Sequence, residues 1–289
     1  MATGAPSVAA PRALRAAAPA LAILGRAGYA AKGVVYVVIG ALAAGVALGA
    51  GGTTTDSAGA LSAIGEGPLG QATLAGIGLG LLGYTAWALV SAVTDAEGKG
   101  DEPTSWVLRA SQAIRGLGYG ALGLQAFRLL GHDRADDGDA AREWTARFLD
   151  MPLGRAIVVV VGLCVLGYAA YQVYDACTDG AREHLDLDEA GPTAAKWIVR
   201  FGRFGIGARA VVLALIGVFL VRAGVQGDAG EAGGIDDSLH ALATTDYRWL
   251  ILGAVAFGLV AFGAYQLATA RFRHMRAVGS GIARMTSHS

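Results

Sequence analysis

The sequence predicts an all-α polytopic membrane protein, with six transmembrane helices arranged as three tandem two-helix repeats. Two observations support this fold class. The 289-residue chain is 54% hydrophobic and 16% charged, with a mean hydropathy of +0.48, which is too apolar for an ordinary soluble protein. In addition, a unit of two hydrophobic stretches recurs three times along the chain, and such self-similarity is typical of repeat architectures.

Six hydrophobic stretches are long enough to cross a hydrocarbon core of about 30 Å, which requires about 20 helical residues. They lack the alternating pattern of barrel strands, and backbone polar groups cannot stay unpaired in lipid, so we expect helices. We place the stretches near residues 27–49, 69–94, 108–130, 153–177, 201–223 and 249–270.

The odd-numbered stretches align with one another without a gap. Each runs from an arginine to a glycine fourteen positions later, as Arg26–Gly40, Arg109–Gly123 and Arg203–Gly217. Because each repeat has an even number of helices, all three repeats have the same orientation. We therefore expect them to be related by a pseudo-threefold axis normal to the membrane.

The even-numbered stretches repeat as well. Each carries an aromatic pair three residues apart, namely Tyr84/Trp87, Tyr168/Tyr171 and Phe262/Tyr265. Before each even stretch we predict a short amphipathic helix that lies at the outer membrane interface. Asp56 and Asp237 suit the N-caps of two of these helices, because their carboxylates can accept from free backbone N–H groups.

These patterns divide the chain into three repeats, two linkers and two tails. The predicted segments are a disordered tail at 1–24, repeats at 25–95, 108–179 and 200–275, linkers at 96–107 and 180–199, and a tail at 276–289. Basic residues concentrate in the tails and linkers, so the positive-inside rule places both termini in the cytoplasm. We expect a multi-pass protein of the bacterial plasma membrane.

A basic residue six positions after the repeat arginine is the best candidate for function. These residues are Lys32, Arg115 and Arg209, each one to two turns into its helix. Charged groups within a membrane helix are costly and are therefore functional candidates. Threefold placement would gather them into a ring that attracts an anionic solute or lipid headgroup. The alternative is that they snorkel to the interface or form ion pairs.

A second set of charges predicts an ion-pair network at the cytoplasmic level. It comprises Arg26, Arg109, Arg203, Asp95 and Asp179. The third repeat has Arg273 at the position of the two aspartates, so this network cannot be symmetric. We expect any functional specialisation to begin at this departure.

No catalytic, cofactor-binding or metal-binding motif is recognisable, which argues against an enzyme. The zero net charge gives no general attraction to nucleic acid. The expected partner is the lipid bilayer, and a homo-oligomer is compatible with the sequence. Two functions remain open. The first is a structural or interaction component of the membrane, and the alternative is a transporter or channel for a small anion or lipid headgroup through an interior path.

The repeated motifs resemble a known family. The pattern Arg-x-Gly-Tyr-x-x-Lys-Gly-x-x-Tyr of residues 26–36, the Asp-x-x-x-Ala-Leu of residues 56–61 and the Pro-x-Gly before the even stretch are similar to domain of unknown function 1206. The resemblance implies a bacterial, mostly actinobacterial, membrane protein with this two-helix domain in three copies. It implies no established activity or site residues.

Overall fold

The chain is almost wholly helical over the residues that the structure, a computed structural model, describes. These are residues 9–50, 54–67, 69–94, 103–131, 140–178, 185, 191–244 and 247–273. Within these ranges the only extended pairing is an isolated antiparallel bridge between Leu185 and Arg273. The prediction of an all-α fold is confirmed.

The described residues form nine α-helices, six of them long and three short. In chain order they are α1 (Ala9–Ala47), α2 (Ser57–Gly65), α3 (Gly70–Thr94), α4 (Pro103–Leu130), α5 (Ala140–Leu149), α6 (Gly154–Cys177), α7 (Gly191–Gln226), α8 (Ile235–Ala243) and α9 (Arg248–Phe272). The short helices α2, α5 and α8 each precede the second long helix of a repeat, as predicted.

Five of the long helices are long and apolar enough to cross a membrane, which indicates a multi-pass membrane protein. They are α1 from Pro19 onward, α3, α6, α7 and α9. Helix α4 has 28 residues, but Arg109, Arg115 and Arg128 lower its hydropathy. The sixth span predicted at 108–130 is therefore not confirmed.

Three long helices begin earlier than the sequence indicated. Helix α1 begins at Ala9, inside the segment expected to be a disordered tail, and continues through Pro19. This segment is rich in alanine, which has the highest helix propensity. Helix α4 begins at Pro103, a residue suited to the first helical position, and α7 begins at Gly191, so both extend into the predicted linkers.

The long helices form an arc in which each one packs against its neighbours. The order is α4, α3, α1, α9, α7 and α6. A closed threefold ring would also require α4 to pack against α6. Among the described residues these two helices do not pack closely, so the predicted pseudo-threefold arrangement is not confirmed.

The two ends of the helix bundle differ in packing. At the short-helix end, where α2, α5 and α8 lie, the interior is filled by apolar side chains. They include the fully buried Ile39, Leu61, Leu239, Leu252 and Leu259. The opposite end, which we call the arginine end because Arg109 and Arg203 lie there, contains the candidate site. The core therefore closes one end of the bundle.

Helices α2 and α8 close the short-helix end by burying their apolar faces in the protein. Leu61 of α2 and Leu239 of α8 are both completely buried in the main core. The predicted location of these helices at the outer membrane interface stays a prediction. Only α5 exposes large apolar side chains, Trp144 and Phe148.

The aspartates of the short helices hold the local structure in two ways. Asp56 is the N-cap of α2 and accepts from the backbone N–H groups of Ala58 and Gly59, each at 2.9 Å, as predicted. Asp237 is not an N-cap. It lies within the first turn of α8 and accepts from the N–H group of Gly234 at 2.9 Å, because the helix begins three residues earlier than expected.

Candidate functional site

A cavity of about 650 Å³ lies among the six long helices in the half of the bundle near the arginine end. All six helices contribute to its lining. Its volume is within the range usual for small-molecule sites. Lys32, Arg115 and Arg209, the three residues that the sequence predicts as a ring, all line it. The structure thus brings the three repeat cations together.

Lys32 projects into a cage of three tyrosine rings. Its Nζ lies 4.9 Å from the ring centre of Tyr29, 4.1 Å from that of Tyr84 and 4.4 Å from that of Tyr119. The residue is only 6% exposed. The negative faces of aromatic rings attract a cation at such distances. The ammonium group is therefore held inside the bundle, whereas snorkelling would direct it to the interface.

Arg209 is held by side chains of three other helices. Its Nε donates to the hydroxyl of Tyr36 at 3.2 Å, and a terminal nitrogen donates to Oε1 of Gln172 at 2.8 Å. The guanidinium carbon also lies 5.3 Å from the ring centre of Phe262. None of these groups is an acid, so the contacts orient the guanidinium without neutralising its charge.

Arg115 lies between α4 and α6. Its Nε donates to the backbone carbonyl of Ser111 at 3.2 Å, and a terminal nitrogen donates to the hydroxyl of Tyr168 at 3.1 Å. Its side chain is exposed. This contact connects the two helices that do not pack against each other.

Arg273 is a fourth cation at the cavity and was not among the predicted ring residues. Its guanidinium carbon lies 5.1 Å from the ring centre of Tyr29 and 5.3 Å from that of Trp87. It occupies the position that holds Asp95 and Asp179 in the other repeats. This broken symmetry was the sequence signal that could have assigned it to the site.

The cavity lining carries more positive than negative charge. Of the described residues that line it, Lys32, Arg115, Arg209 and Arg273 are cations and Asp175 is the acid. Trp87 and Gln172 also line it, and their buried side-chain nitrogens Nε1 and Nε2 have no hydrogen-bond partner in the described part of the chain. Burying a donor without a partner is costly. The chemistry of the site thus favours a ligand that is anionic and accepts hydrogen bonds.

The aromatic pairs of α3, α6 and α9, the second long helix of each repeat, belong to this site. All three pairs line the cavity, as Tyr84 with Trp87, Tyr168 with Tyr171, and Phe262 with Tyr265. From the sequence they stood out only as a repeated spacing. The same placement in α3, α6 and α9 is the feature that could have identified these pairs as part of the site.

The repeat arginines at the helix entrances tie neighbouring helices together. Arg109 donates to the carbonyl oxygens of Ala92 at 2.6 Å and Val93 at 2.8 Å, at the end of α3. Arg203 does the same at the end of α6, with Ala176 at 2.7 Å and Cys177 at 2.6 Å. These carbonyls have no partner within their own helix. Both arginines therefore cap a neighbouring helix.

The predicted ion-pair network is only partly within the described residues. Arg26, the equivalent arginine of the first repeat, is exposed. Asp95 and Asp179 lie outside the described residues, so their pairing with the arginines stays a prediction.

Comparison with known proteins agrees with the repeat analysis. The sequence model of the family described as Domain of Unknown Function (DUF1206) matches residues 27–95, 110–179 and 204–273. The chain belongs to this family. The resemblance drawn from the repeated motifs is confirmed, and so are the three tandem copies.

A bacterial relative is similar to this chain over most of its length. The chain is 30% identical over 251 residues to the uncharacterized protein YxxB of Bacillus subtilis, which covers 87% of this chain and 90% of that protein. No solved structure matches. Because this relative comes from Bacillus, an actinobacterial source stays a prediction.

Proposed function

We propose that this DUF1206 protein binds an anionic group in its cationic cavity and acts as a carrier for a small anion or a lipid headgroup. The observation that carries the proposal is the meeting of Lys32, Arg115, Arg209 and Arg273 at one cavity. Like charges repel strongly where the dielectric constant is low. An anion among them would relieve this repulsion and offset the cost of keeping cations inside a membrane protein.

The hydrogen-bond donors of the cavity also suit an anion with several oxygen atoms. Trp87 and Gln172, which line the cavity, each have one side-chain nitrogen donor without a partner in the described residues. Arg115 and Arg209 keep guanidinium groups at the cavity while tyrosine and amide oxygens orient them. Phosphate and carboxylate groups match such donors well, because guanidinium can bind two of their oxygen atoms at once.

A carrier agrees with the packing better than a channel does. The cavity lies in one half of the bundle, and the buried core with Leu61 and Leu239 closes the short-helix end. A channel would need a continuous path across both halves. A cavity in one half of the bundle with a packed core in the other half is the arrangement expected for one state of an alternating-access carrier.

We also propose that the protein crosses the bacterial plasma membrane six times and has both termini in the cytoplasm. We infer that α4 is the sixth span. Its 28 residues extend over about 42 Å at about 1.5 Å per residue, and its polar residues Gln112 and Arg115 line the cavity, where charge in a membrane helix is usually found. With six spans, the positive-inside rule places the arginine end and both termini in the cytoplasm. The three repeats would then form a pseudo-threefold arrangement that is open between α4 and α6.

A purely structural role in the membrane is the second candidate. The capping of α3 by Arg109 and of α6 by Arg203 favours it, because these contacts join neighbouring helices. A structural role does not require the unpartnered donors of Trp87 and Gln172 to lie beside four cations. We therefore prefer binding. The proposed function involves no chemical reaction, cofactor or nucleic-acid partner. It is compatible with a monomer or a homo-oligomer.

Binding of soluble anions by the purified protein in a neutral detergent tests the proposal. The titrants are inorganic phosphate and glycerol 3-phosphate, followed by isothermal titration calorimetry. We expect Arg209→Gln to weaken binding at least about tenfold, because one charge-assisted hydrogen bond contributes about 1.5–3 kcal/mol. Arg200→Gln is the matched control, since Arg200 lies on the same helix, is exposed and is absent from the cavity lining.

Two outcomes would contradict the proposal. One is that the wild-type protein binds neither anion at millimolar concentration. The other is that Arg200→Gln weakens binding as much as Arg209→Gln does, which would indicate a general effect of charge. Circular dichroism of each variant verifies that it is folded.

A further inference from the structure

The arc of long helices has one opening, between α4 and α6. Each of the other five neighbouring pairs along the arc packs closely, whereas in the described residues α4 and α6 do not. Both helices nevertheless line the cavity, through Ser111, Gln112 and Arg115 on one side and Cys164 and Tyr168 on the other. The opening therefore lies in the side of the bundle beside the cavity, and the hydrogen bond between Arg115 and Tyr168 crosses it at 3.1 Å.

A single difference between the repeats gives a physical reason for this opening. In the first repeat, Gly28 faces Tyr84 so closely that an added Cβ would collide with the Cβ of that tyrosine. In the third repeat, Gly205 faces Phe262 in the same way. The second repeat has Ser111 at this position. A side chain at this position would collide with the facing helix in the arrangement of the other two repeats.

The opening lies within the part of the helices that would be in lipid. Ser111 to Gly118 lie about 12 to 22 Å from the start of α4 at Pro103, at about 1.5 Å per residue. Gly167 lies in the middle of α6 (Gly154–Cys177). An added Cβ at Gly118 or at Gly167 would meet no atom within 4 Å. Both helices that border the opening therefore carry a glycine with free space around it at this depth.

The surfaces beside the opening are apolar on their outer side. On α4, Ile114 is 69% exposed and Leu117 is 58% exposed. On α6, Val160 is 57% exposed. Acyl chains solvate such surfaces well, whereas the four cations and the unpartnered Trp87 and Gln172 donors lie on the inner side. The opening thus joins an apolar exterior to a cationic interior.

We propose that this opening, the α4–α6 portal, admits an anionic phospholipid from the bilayer. The phosphate-containing headgroup occupies the cationic cavity, and the acyl chains leave through the portal into the membrane. This inference rests on the proposed anion site and adds the identity of the ligand as a lipid. A soluble anion would need no side opening at membrane depth, and a zwitterionic lipid would neutralise less of the charge of Lys32, Arg115, Arg209 and Arg273.

The test narrows the portal while leaving the cavity residues in place. Gly118→Phe and Gly167→Phe each add a ring where there is free space. Gly76→Phe is the matched control, because an added Cβ at Gly76 of α3 also meets no atom within 4 Å and Gly76 does not line the cavity. Native mass spectrometry of the protein from detergent micelles with dioleoylphosphatidylglycerol or dioleoylphosphatidylcholine measures lipid retention. Calorimetry with glycerol 3-phosphate measures the soluble anion.

We expect the wild-type protein and Gly76→Phe to retain phosphatidylglycerol at least tenfold more than phosphatidylcholine. The two portal variants should lose this retention at least tenfold and bind glycerol 3-phosphate within twofold of wild type. If they retain phosphatidylglycerol like wild type, or lose both ligands alike, the portal is excluded as the route. If the wild-type protein binds glycerol 3-phosphate but does not prefer phosphatidylglycerol to phosphatidylcholine, the ligand is not an anionic lipid. The proposed anion site would still be supported. If it binds neither ligand, both proposals fall.

Discussion

Arg209 donates to the Oε1 of Gln172 at 2.8 Å and thereby orients the whole amide group. With its oxygen atom occupied by the arginine, Gln172 has only its Nε2 left to offer, and this buried donor has no partner in the described residues. One hydrogen bond between α6 and α7 therefore determines that the amide is left with an unpartnered donor in a residue that lines the cavity. Gln172 thus both joins α6 to α7 and contributes to the lining of the cavity.

Replacement of Gln172 by Glu should weaken anion binding without unfolding the protein. The carboxylate would form an ion pair with Arg209, remove the Nε2 donor and add a negative charge to the cavity. We expect affinity for glycerol 3-phosphate to fall at least about tenfold, or about 1.4 kcal/mol. The control is Gln71→Glu, because Gln71 is exposed near the start of α3. Calorimetry that finds equal affinity for Gln172→Glu and wild type would remove Gln172 from the site.

The tyrosine cage of Lys32 leads to a prediction that separates charge from packing. Lys32→Met keeps the length of the side chain, and methionine sulfur packs well on aromatic rings. Lys32→Ala leaves a hole among Tyr29, Tyr84 and Tyr119, and truncation of a long buried side chain to alanine typically costs about 2–5 kcal/mol. We expect both variants to bind anions weakly, and only Lys32→Ala to melt markedly earlier than wild type in scanning fluorimetry.

The opposite stability result would change the role of Lys32. The attraction of an ammonium group to aromatic rings contributes up to about 2 kcal/mol when it is desolvated, and the cost of burying the charge opposes it. If Lys32→Met melts as early as Lys32→Ala, the contact of the ammonium with the rings stabilises the fold. Lys32 would then be a structural residue.

Arg203 should stabilise the end of α6 rather than the cavity. It donates to the carbonyl oxygens of Ala176 and Cys177, and Arg203→Ala would leave both without this partner. Because Arg203 is half-exposed, we expect a loss of about 1–2 kcal/mol, toward the lower end for hydrogen bonds to charged groups. Hydrogen exchange measured by mass spectrometry should become faster in the last turn of α6.

Two comparisons check that this effect comes from helix capping. Arg203→Lys keeps a single donor and should show an intermediate exchange rate. Arg200→Ala removes an exposed arginine of the same helix, which lies near the ring of Trp197, and should leave exchange in α6 unchanged. Exchange in α6 that is as slow in Arg203→Ala as in wild type would show that the two carbonyl contacts contribute little.

How much the sequence could predict depended on whether a feature repeats. Some features recur at equivalent positions of all three repeats, namely the repeat arginines, the ring cations and the aromatic pairs. An assumed threefold arrangement therefore predicted that Lys32, Arg115 and Arg209 lie close together. All three do line the cavity. Their binding of an anion stays a prediction. Features of one copy alone were harder to predict, because a helix–helix distance depends on contacts that sequence spacing does not encode. The role of Arg273 and the separation of α4 from α6 belong to this class.

Gly205 is the residue through which close packing of α7 on α9 can be tested. A Cβ at this position would lie 2.8 Å from the Cβ of Phe262, so Gly205→Ser should force the two helices apart. We expect a loss of about 1–3 kcal/mol, the usual cost of overpacking, measured as an earlier thermal unfolding transition. The matched control is Gly207→Ser on the same helix, where an added Cβ meets no atom within 4 Å.

The control should be neutral or slightly stabilising, because serine has a higher helix propensity than glycine by about 0.5 kcal/mol. Equal unfolding temperatures for the two variants would mean that α7 and α9 can separate at no cost. The difference between Gly205 and Ser111 would then not explain why only the second repeat is open. A large loss for Gly205→Ser alone would support the serine of the second repeat as the cause of the opening between α4 and α6.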